Sequence, residues 1–160
     1  PFRECTYIVT DGDNTILIDP GMLTEKEQSR FKDYCDTHHL VFTHLLITHT
    51  HEDHICGLEW FQTQYGPIEV NRLPEGWECL PTPGHKEDAV CFYVPKESTL
   101  FSGDTLFQES IGRTDLPGGD MATLMRSLKK LTTLPKDTII YPGHGYTTTL
   151  AHELEFNPYL

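Results

Sequence analysis

The chain has 160 residues, with 24 Asp or Glu against 12 Lys or Arg, a formal net charge of −12. That length holds one core of ordinary size and excludes a long multi-domain machine, while the charge repels phosphate backbones and anionic membrane surfaces and so argues against a nucleic-acid partner or a membrane partner. Against this acidity stand nine histidines, and imidazoles with carboxylates are the donors from which metal sites are made.

An apolar fraction of 38%, with 11 Pro and 12 Gly spread along the chain, describes a globular core punctuated by turns. The five cysteines (Cys5, Cys35, Cys56, Cys79 and Cys91) are scattered, odd in number and without a C-x-x-C pair. They read as reduced thiols and point to a cytoplasmic setting. No apolar run reaches the roughly 18 residues of a membrane span. The segment Pro1 to Val9 carries charge and alternation in place of a signal-type hydrophobic block.

In chain order, Thr6–Thr10 and Thr15–Asp19 are β-rich runs around Asp11-Gly12-Asp13-Asn14, which predicts an opening hairpin. Thr24 with Glu27 is a capping-box pattern that starts a helix to about His39, with Phe31, Tyr34 and Cys35 at helical spacing. Leu45–Thr48 is a short apolar run suited to a buried strand. Further strands are expected at Ile68–Val70, Trp77–Leu80, Ala89–Val94, Thr99–Ser102 and Thr138–Tyr141. A helix capped by Asp120 places Met121, Leu124, Leu128 and Leu131 on one face. Strands and helices interleave without repeats, which predicts a single α/β domain over residues 1–160.

Directly after the Leu45–Thr48 strand comes His49-Thr50-His51-Glu52-Asp53-His54, three imidazoles and a carboxylate within six residues. Alternation at a strand end points His49 and His51 the same way, and Asp53 and His54, one turn on, reach a second position nearby. Three later turns each add one donor just past a β-like run: Thr82-Pro83-Gly84-His85, Ser102-Gly103-Asp104 and Pro142-Gly143-His144-Gly145. Each alone is an ordinary polar turn. Together the five His and two Asp suffice for two metal ions, three protein ligands apiece with one carboxylate shared, leaving room for a bridging hydroxide.

His49-x-His51-x-Asp53-His54 with His85, Asp104 and His144 resembles the metallo-β-lactamase superfamily, over nearly the whole chain from Ile18-Asp19-Pro20-Gly21 to Asn157-Pro158-Tyr159. The resemblance implies an αββα sandwich with the metals at one edge. By matching positions it implies that His49, His51 and His85 hold the first ion and Asp53, His54 and His144 the second, with Asp104 bridging. Thr48 before the histidine motif, Ser102-Gly103-Asp104-Thr105-Leu106-Phe107, and Ile111-Gly112-Arg113-Thr114-Asp115 before Leu116-Pro117-Gly118-Gly119 are most similar to the short bacterial form of glyoxalase II. A carboxylate at Asp104, where zinc β-lactamases of the first subclass carry a cysteine, fits that thioesterase branch. Two features depart from the pattern: His85 is followed by Lys86, Glu87 and Asp88, and the stretch from His54 to His85 is short.

The implied reaction is hydrolysis of an S-acylglutathione, S-lactoylglutathione to lactate and glutathione, with Asp104 and Asp53 as the catalytic carboxylates. The implied cofactors are two divalent ions, zinc first, with iron or manganese also suited to a mixed N/O donor set. Arg113, and Tyr146 after His144-Gly145, are the candidate contacts to an anionic glutathione-derived substrate. A monomer or small homo-oligomer is expected. Cys56 reads as a packing residue, and His38, His39, His44 and His152 as surface or capping residues. Two other enzymes share the pattern: a glutathione persulfide dioxygenase with one iron on His49, His85 and Asp104, and a broad lactonase or esterase. A non-catalytic metal-binding or partner-binding module would not need seven donors around an open position.

Overall fold

Strands β1 (Tyr7–Asp11) and β2 (Asn14–Ile18) pair antiparallel, closing at Asp11 opposite Asn14, so Gly12 and Asp13 form a two-residue turn. Gly12 sits at φ 58°, the positive φ that such a turn requires at its first central position. The predicted hairpin therefore forms. The computed structural model describes residues 3–160; Pro1 and Phe2, the start of the segment read as lacking a signal-type block, lie outside the described residues. The chain divides into two compact units, residues 1–74 and 75–160, each with its own hydrophobic core.

In the first unit, β2 is buried at Ile16, Leu17 and Ile18 and pairs parallel with β3 (His44–Leu46). A parallel pair needs a crossover, supplied by α1 (Glu25–Thr37). The expected capping box starts it: Thr24 Oγ1 accepts from the Glu27 amide and Glu27 Oε2 accepts from the Thr24 amide. Of the three residues placed on its inner face, Cys35 is buried and Phe31 half-buried, but Tyr34 is 52% exposed and packs on His38 at 4.3 Å between ring centroids. After β3 come α2 (Glu52–Ile55) and α3 (Leu58–Tyr65). The core gathers Leu17, Cys35, Phe42, Leu45, Ile47 and Phe61, with Phe31, Trp60 and Tyr65 against it.

The strand expected at Ile68–Val70 is reduced to a bridge between Val70 and Leu45. The next residue replaces the ladder. The Asn71 side chain accepts from the Ile47 amide at 2.7 Å and donates to the Ile47 carbonyl at 3.2 Å, satisfying the groups a strand would have paired.

The second unit is a five-stranded sheet in the order β10 (Thr148–Thr149), β9 (Ile139–Pro142), β6 (Thr99–Gly103), β5 (Val90–Val94), β4 (Glu78–Pro81). Only β6 and β9 run parallel. Their crossover holds the small hairpin β7 (Leu106–Phe107) and β8 (Ser110–Ile111), then α4 (Met121–Leu131). Asp120 caps α4 by accepting from the Thr123 amide at 2.7 Å. Leu124, Leu128 and Leu131 are buried as expected, each worth about 1.5–3 kcal/mol of burial. Met121 is not: it lies one turn before Leu124 and is 46% exposed. The last helix, α5 (Leu150–Phe156), is absent from the sequence reading because only Leu150 among its apolar residues is buried and no periodic stripe marks it.

Candidate metal centre

In the first unit the four donors of the histidine motif follow β3 and open α2, with His51 at the N-cap and Asp53 and His54 in the first turn. His49 and His54 are buried. His54 is held by Asp19, which follows β2 with φ 51°, and His49 by Thr48, which Asp19 in turn anchors. Asp19 Oδ1 accepts from the Thr48 amide at 2.7 Å, and Oδ2 from Thr48 Oγ1 at 2.6 Å and His54 Nδ1 at 2.8 Å.

These contacts determine where the protons lie. A carboxylate only accepts, so His54 carries a proton on Nδ1 and turns Nε2 toward Asp53. The single Thr48 hydroxyl proton goes to Asp19, so Thr48 Oγ1 accepts from His49 Nδ1 at 3.1 Å, and His49 Nε2 faces away from Thr48 toward His51. That nitrogen lies 3.1 Å from His51 Nδ1, and His54 Nε2 lies 3.9 Å from Asp53 Oδ2. Two ligands about 2.1 Å from one tetrahedral ion stand roughly 3.4 Å apart, and these two spacings fall on either side of that value.

Asp19 and Thr48 were not assigned roles from sequence, although the Asp19-Pro20-Gly21 turn and the Thr directly before His49 were visible signals. Glu4 gave none. Its Oε2 accepts from Thr6 Oγ1 at 3.0 Å, while Oε1 is buried with no hydrogen-bond partner among the described residues. Burial pushes its carboxyl up to about 9, against the opposing influence of His54. The Glu4 carboxyl lies over Gly21, where a Cβ would overlap both it and the Asp53 carbonyl. Cys56 Sγ donates to the Gly21 carbonyl, and burial raises its thiol, in keeping with a packing residue.

In the second unit, His85 lies in the turn between β4 and β5, Asp104 directly after β6 and His144 two residues past the end of β9. The latter two loops are tied by the Gly143 amide donating to the Gly103 carbonyl. Asp104 Oδ2 sits 3.5 Å from His85 Nε2 and 3.6 Å from His144 Nε2, one carboxylate oxygen facing two imidazoles. His85 Nδ1 lies 2.7 Å from the Arg113 carbonyl, which only accepts, so Nδ1 carries a proton and Nε2 is turned toward Asp104. Gly112 is required beside them, since a Cβ there would overlap the Asp104 carbonyl.

The structure places the expected substrate residues differently from each other. Arg113 is exposed, and its guanidinium forms a two-point fork with Asp115 at 2.7 and 2.6 Å, which holds the Asp115 carboxyl down to about 2. Its backbone carbonyl, not its charge, is what touches a metal-ligand candidate. Tyr146 follows in the loop after His144 and is 80% exposed. Of the remaining histidines, His38 caps α1, His39 takes a left-handed turn, His44 contacts Thr43 from β3 and His152 pairs with Glu109.

The model of the metallo-beta-lactamase superfamily matches residues 73–144, and that of the anti-Pycsar protein Apyc1 matches residues 3–71. The chain is 31% identical to the hydroxyacylglutathione hydrolase GloC of Haemophilus influenzae, over 99% of this chain and 92% of that one. The alignment runs over 200 positions, more than the 160 residues present here, so that hydrolase carries segments without a counterpart in this chain. Among solved structures, TTHA1623 in a di-iron-bound form superposes with a TM-score of 0.88 at 34% identity, covering 100% of this chain and 96% of that one. ETHE1 from Myxococcus xanthus follows with 0.84 at 29% identity, covering 98% and 79%.

Proposed function

Because the chain belongs to the metallo-β-lactamase superfamily, we propose that residues 1–160 act as one dinuclear metallohydrolase domain whose substrate is an S-acylglutathione thioester. In this reading His49, His51 and His85 hold one ion, Asp53, His54 and His144 the other, and Asp104 both. The observation that carries it is the orientation of three rings: His49, His54 and His85 each turn Nδ1 to a protein partner and Nε2 toward another donor of the set. Metal sites are preorganised in this way, and a hydrogen-bonded surface cluster has no need of it. Iron and zinc both suit the donors, and similarity to a di-iron-bound protein adds weight to iron.

Bound divalent ions supply Lewis acidity and water acidified to a pKa of about 7. The rest falls to the chain. Asp104, with one oxygen facing two imidazoles, takes the proton of the attacking water, and Asp53, beside His54, is the second carboxylate of the site. Addition of the hydroxyl to the thioester carbon and cleavage of the C–S bond release a thiolate. With a pKa near 8.5 for an ordinary thiol, it leaves without a dedicated proton donor. Arg113 and Tyr146 are the proposed contacts to the glutathione portion, and the scattered cysteines, odd in number and without a C-x-x-C pair, support a cytoplasmic setting.

The test is elemental analysis of the purified protein together with an S-lactoylglutathione hydrolysis assay. About two ions per chain and thiol release are expected. A single iron per chain with oxygen uptake on glutathione persulfide would overturn the hydrolase in favour of the dioxygenase, the second reading, which the Gly112-Arg113-Thr114-Asp115 segment favours.

A further inference from the structure

All three donors of the second unit touch one short segment, residues 104–113. Asp104 begins it. The Arg113 carbonyl at its far end accepts from His85 Nδ1. Between them the Phe107 ring meets the His144 ring edge-on, with centroids 6.1 Å apart. The segment is the β7–β8 hairpin with its flanks, and a two-stranded hairpin with two residues in each strand does not hold its own shape. Its tip is also strained. Gln108 and Glu109 are the turn residues, and Glu109 sits at φ 53°, a conformation that glycine favours and glutamate rarely adopts.

Helix α5 meets this tip with a buried polar anchor. Glu153 is fully buried and is used by no step of the chemistry above. Its Oε2 accepts from the strained Glu109 amide at 2.8 Å and from Asn157 Nδ2 at 2.8 Å, and its Oε1 accepts from Thr148 Oγ1 at 2.6 Å. Asn157, also buried, donates to the Ser110 carbonyl at 3.1 Å and lies 3.5 Å from the Phe107 carbonyl. His152 adds a rim contact to the Glu109 carboxylate at 2.9 Å.

We propose that Glu153, with Asn157, is a positioning residue for the metal centre: it holds the Glu109 turn in its left-handed form and thereby keeps Asp104, the Arg113 carbonyl and the Phe107 wall in register with His85 and His144. The inference rests on the reading of His85, Asp104 and His144 as metal ligands. A buried carboxylate with three donors is a poor site for a neutral replacement, because Glu153→Gln sets an amide N–H against a donor it cannot accept. Outer-shell partners of metal ligands characteristically change affinity by 10–100-fold.

The experiment measures Co(II) affinity by chelator competition, with the Co(II) visible absorption bands as a geometric readout and far-UV circular dichroism of the metal-free proteins as the control. Glu153→Gln is expected to fold, to bind Co(II) about 10–100-fold more weakly and to show altered bands. Adding Glu109→Gly, which removes the turn strain and keeps the amide donor, is expected to recover most of that loss. A folded Glu153→Gln protein with unchanged affinity and bands overturns the proposal, as does failure of Glu109→Gly to restore binding. Should Glu153→Gln not fold, Asn157→Ala decides the question by the same two readouts. Wild-type protein that binds no Co(II), or binds it equally well with Asp104→Ala, would sink the metal-ligand reading itself and not the anchor alone.

Discussion

Asp19→Asn is the sharpest perturbation the first unit offers, because it keeps size and polarity while changing which atoms can donate. Asp19 accepts three hydrogen bonds, from the Thr48 amide, the Thr48 hydroxyl and His54 Nδ1. An amide has only one accepting atom. With its oxygen on the Thr48 amide, its NH2 faces Thr48 Oγ1 and His54 Nδ1, and His54 must accept there and move its own proton to Nε2, the atom that would bind metal. Two charge-assisted hydrogen bonds become weaker neutral ones in a buried place, a loss of about 2–4 kcal/mol in all. For a chain of this size that lowers the melting temperature by roughly 10 °C. Metal affinity should fall by about 10–100-fold or more, beyond what the lost stability explains. Thermal unfolding of the metal-free protein, chelator competition and ¹⁵N imidazole spectra, which report the His54 tautomer directly, are the assays. An Asp19→Asn protein with His54 still protonated on Nδ1 and wild-type metal affinity would refute the reasoning.

Three further outcomes are expected. Asp104→Ala should lower thioester hydrolysis by roughly 10²–10³-fold, as removal of a group acting at the transition state does, together with metal content, and unchanged turnover would remove Asp104 from the reaction. Asp115→Ala releases the Arg113 guanidinium and should lower KM for an anionic thioester several-fold with little change in kcat, while Arg113→Ala raises it; equal KM values for both variants would leave Arg113 as a surface ion pair. Glu4, with its folded-state carboxyl at about 9 against an ordinary 4.5, binds one proton more in the folded state than in the unfolded across that range. The stability of the metal-free protein should therefore fall as pH rises from about 5 to 9, by up to about 1.4 kcal/mol per unit. Glu4→Gln should flatten that slope in urea titrations at pH 6 and 8, and identical slopes would show that Glu4 is not responsible.

Much of the protein is local and was legible as such. The Thr24–Glu27 box, the Asp120 cap, the Gly12 turn and the apolar run Val90–Val94 involve neighbours a few residues apart, whose preferences are written in adjacent side chains. The histidine motif is local too, since one loop carries four of the seven donors. The misreadings fall where packing overrode pattern. Helical spacing put Tyr34 and Met121 on buried faces that the neighbouring elements do not cover, and the Asn71 side chain took the place of a predicted strand at Ile68–Val70.

By itself the sequence determined which residue types are available to bind metal and on which turns they stand, because donor chemistry and turn geometry are properties of short segments. Only the tertiary structure decided which nitrogen of His49, His54 and His85 is turned to a protein partner and what that partner is. Those facts depend on Asp19 meeting Thr48 and His54, on Arg113 meeting His85, and on Glu153 meeting Glu109. Such partners lie about 30 to 45 residues apart along the chain. A hydrogen bond across that distance leaves no periodic or neighbouring signature in sequence, and it is set only when the strands and helices that carry its two ends have packed.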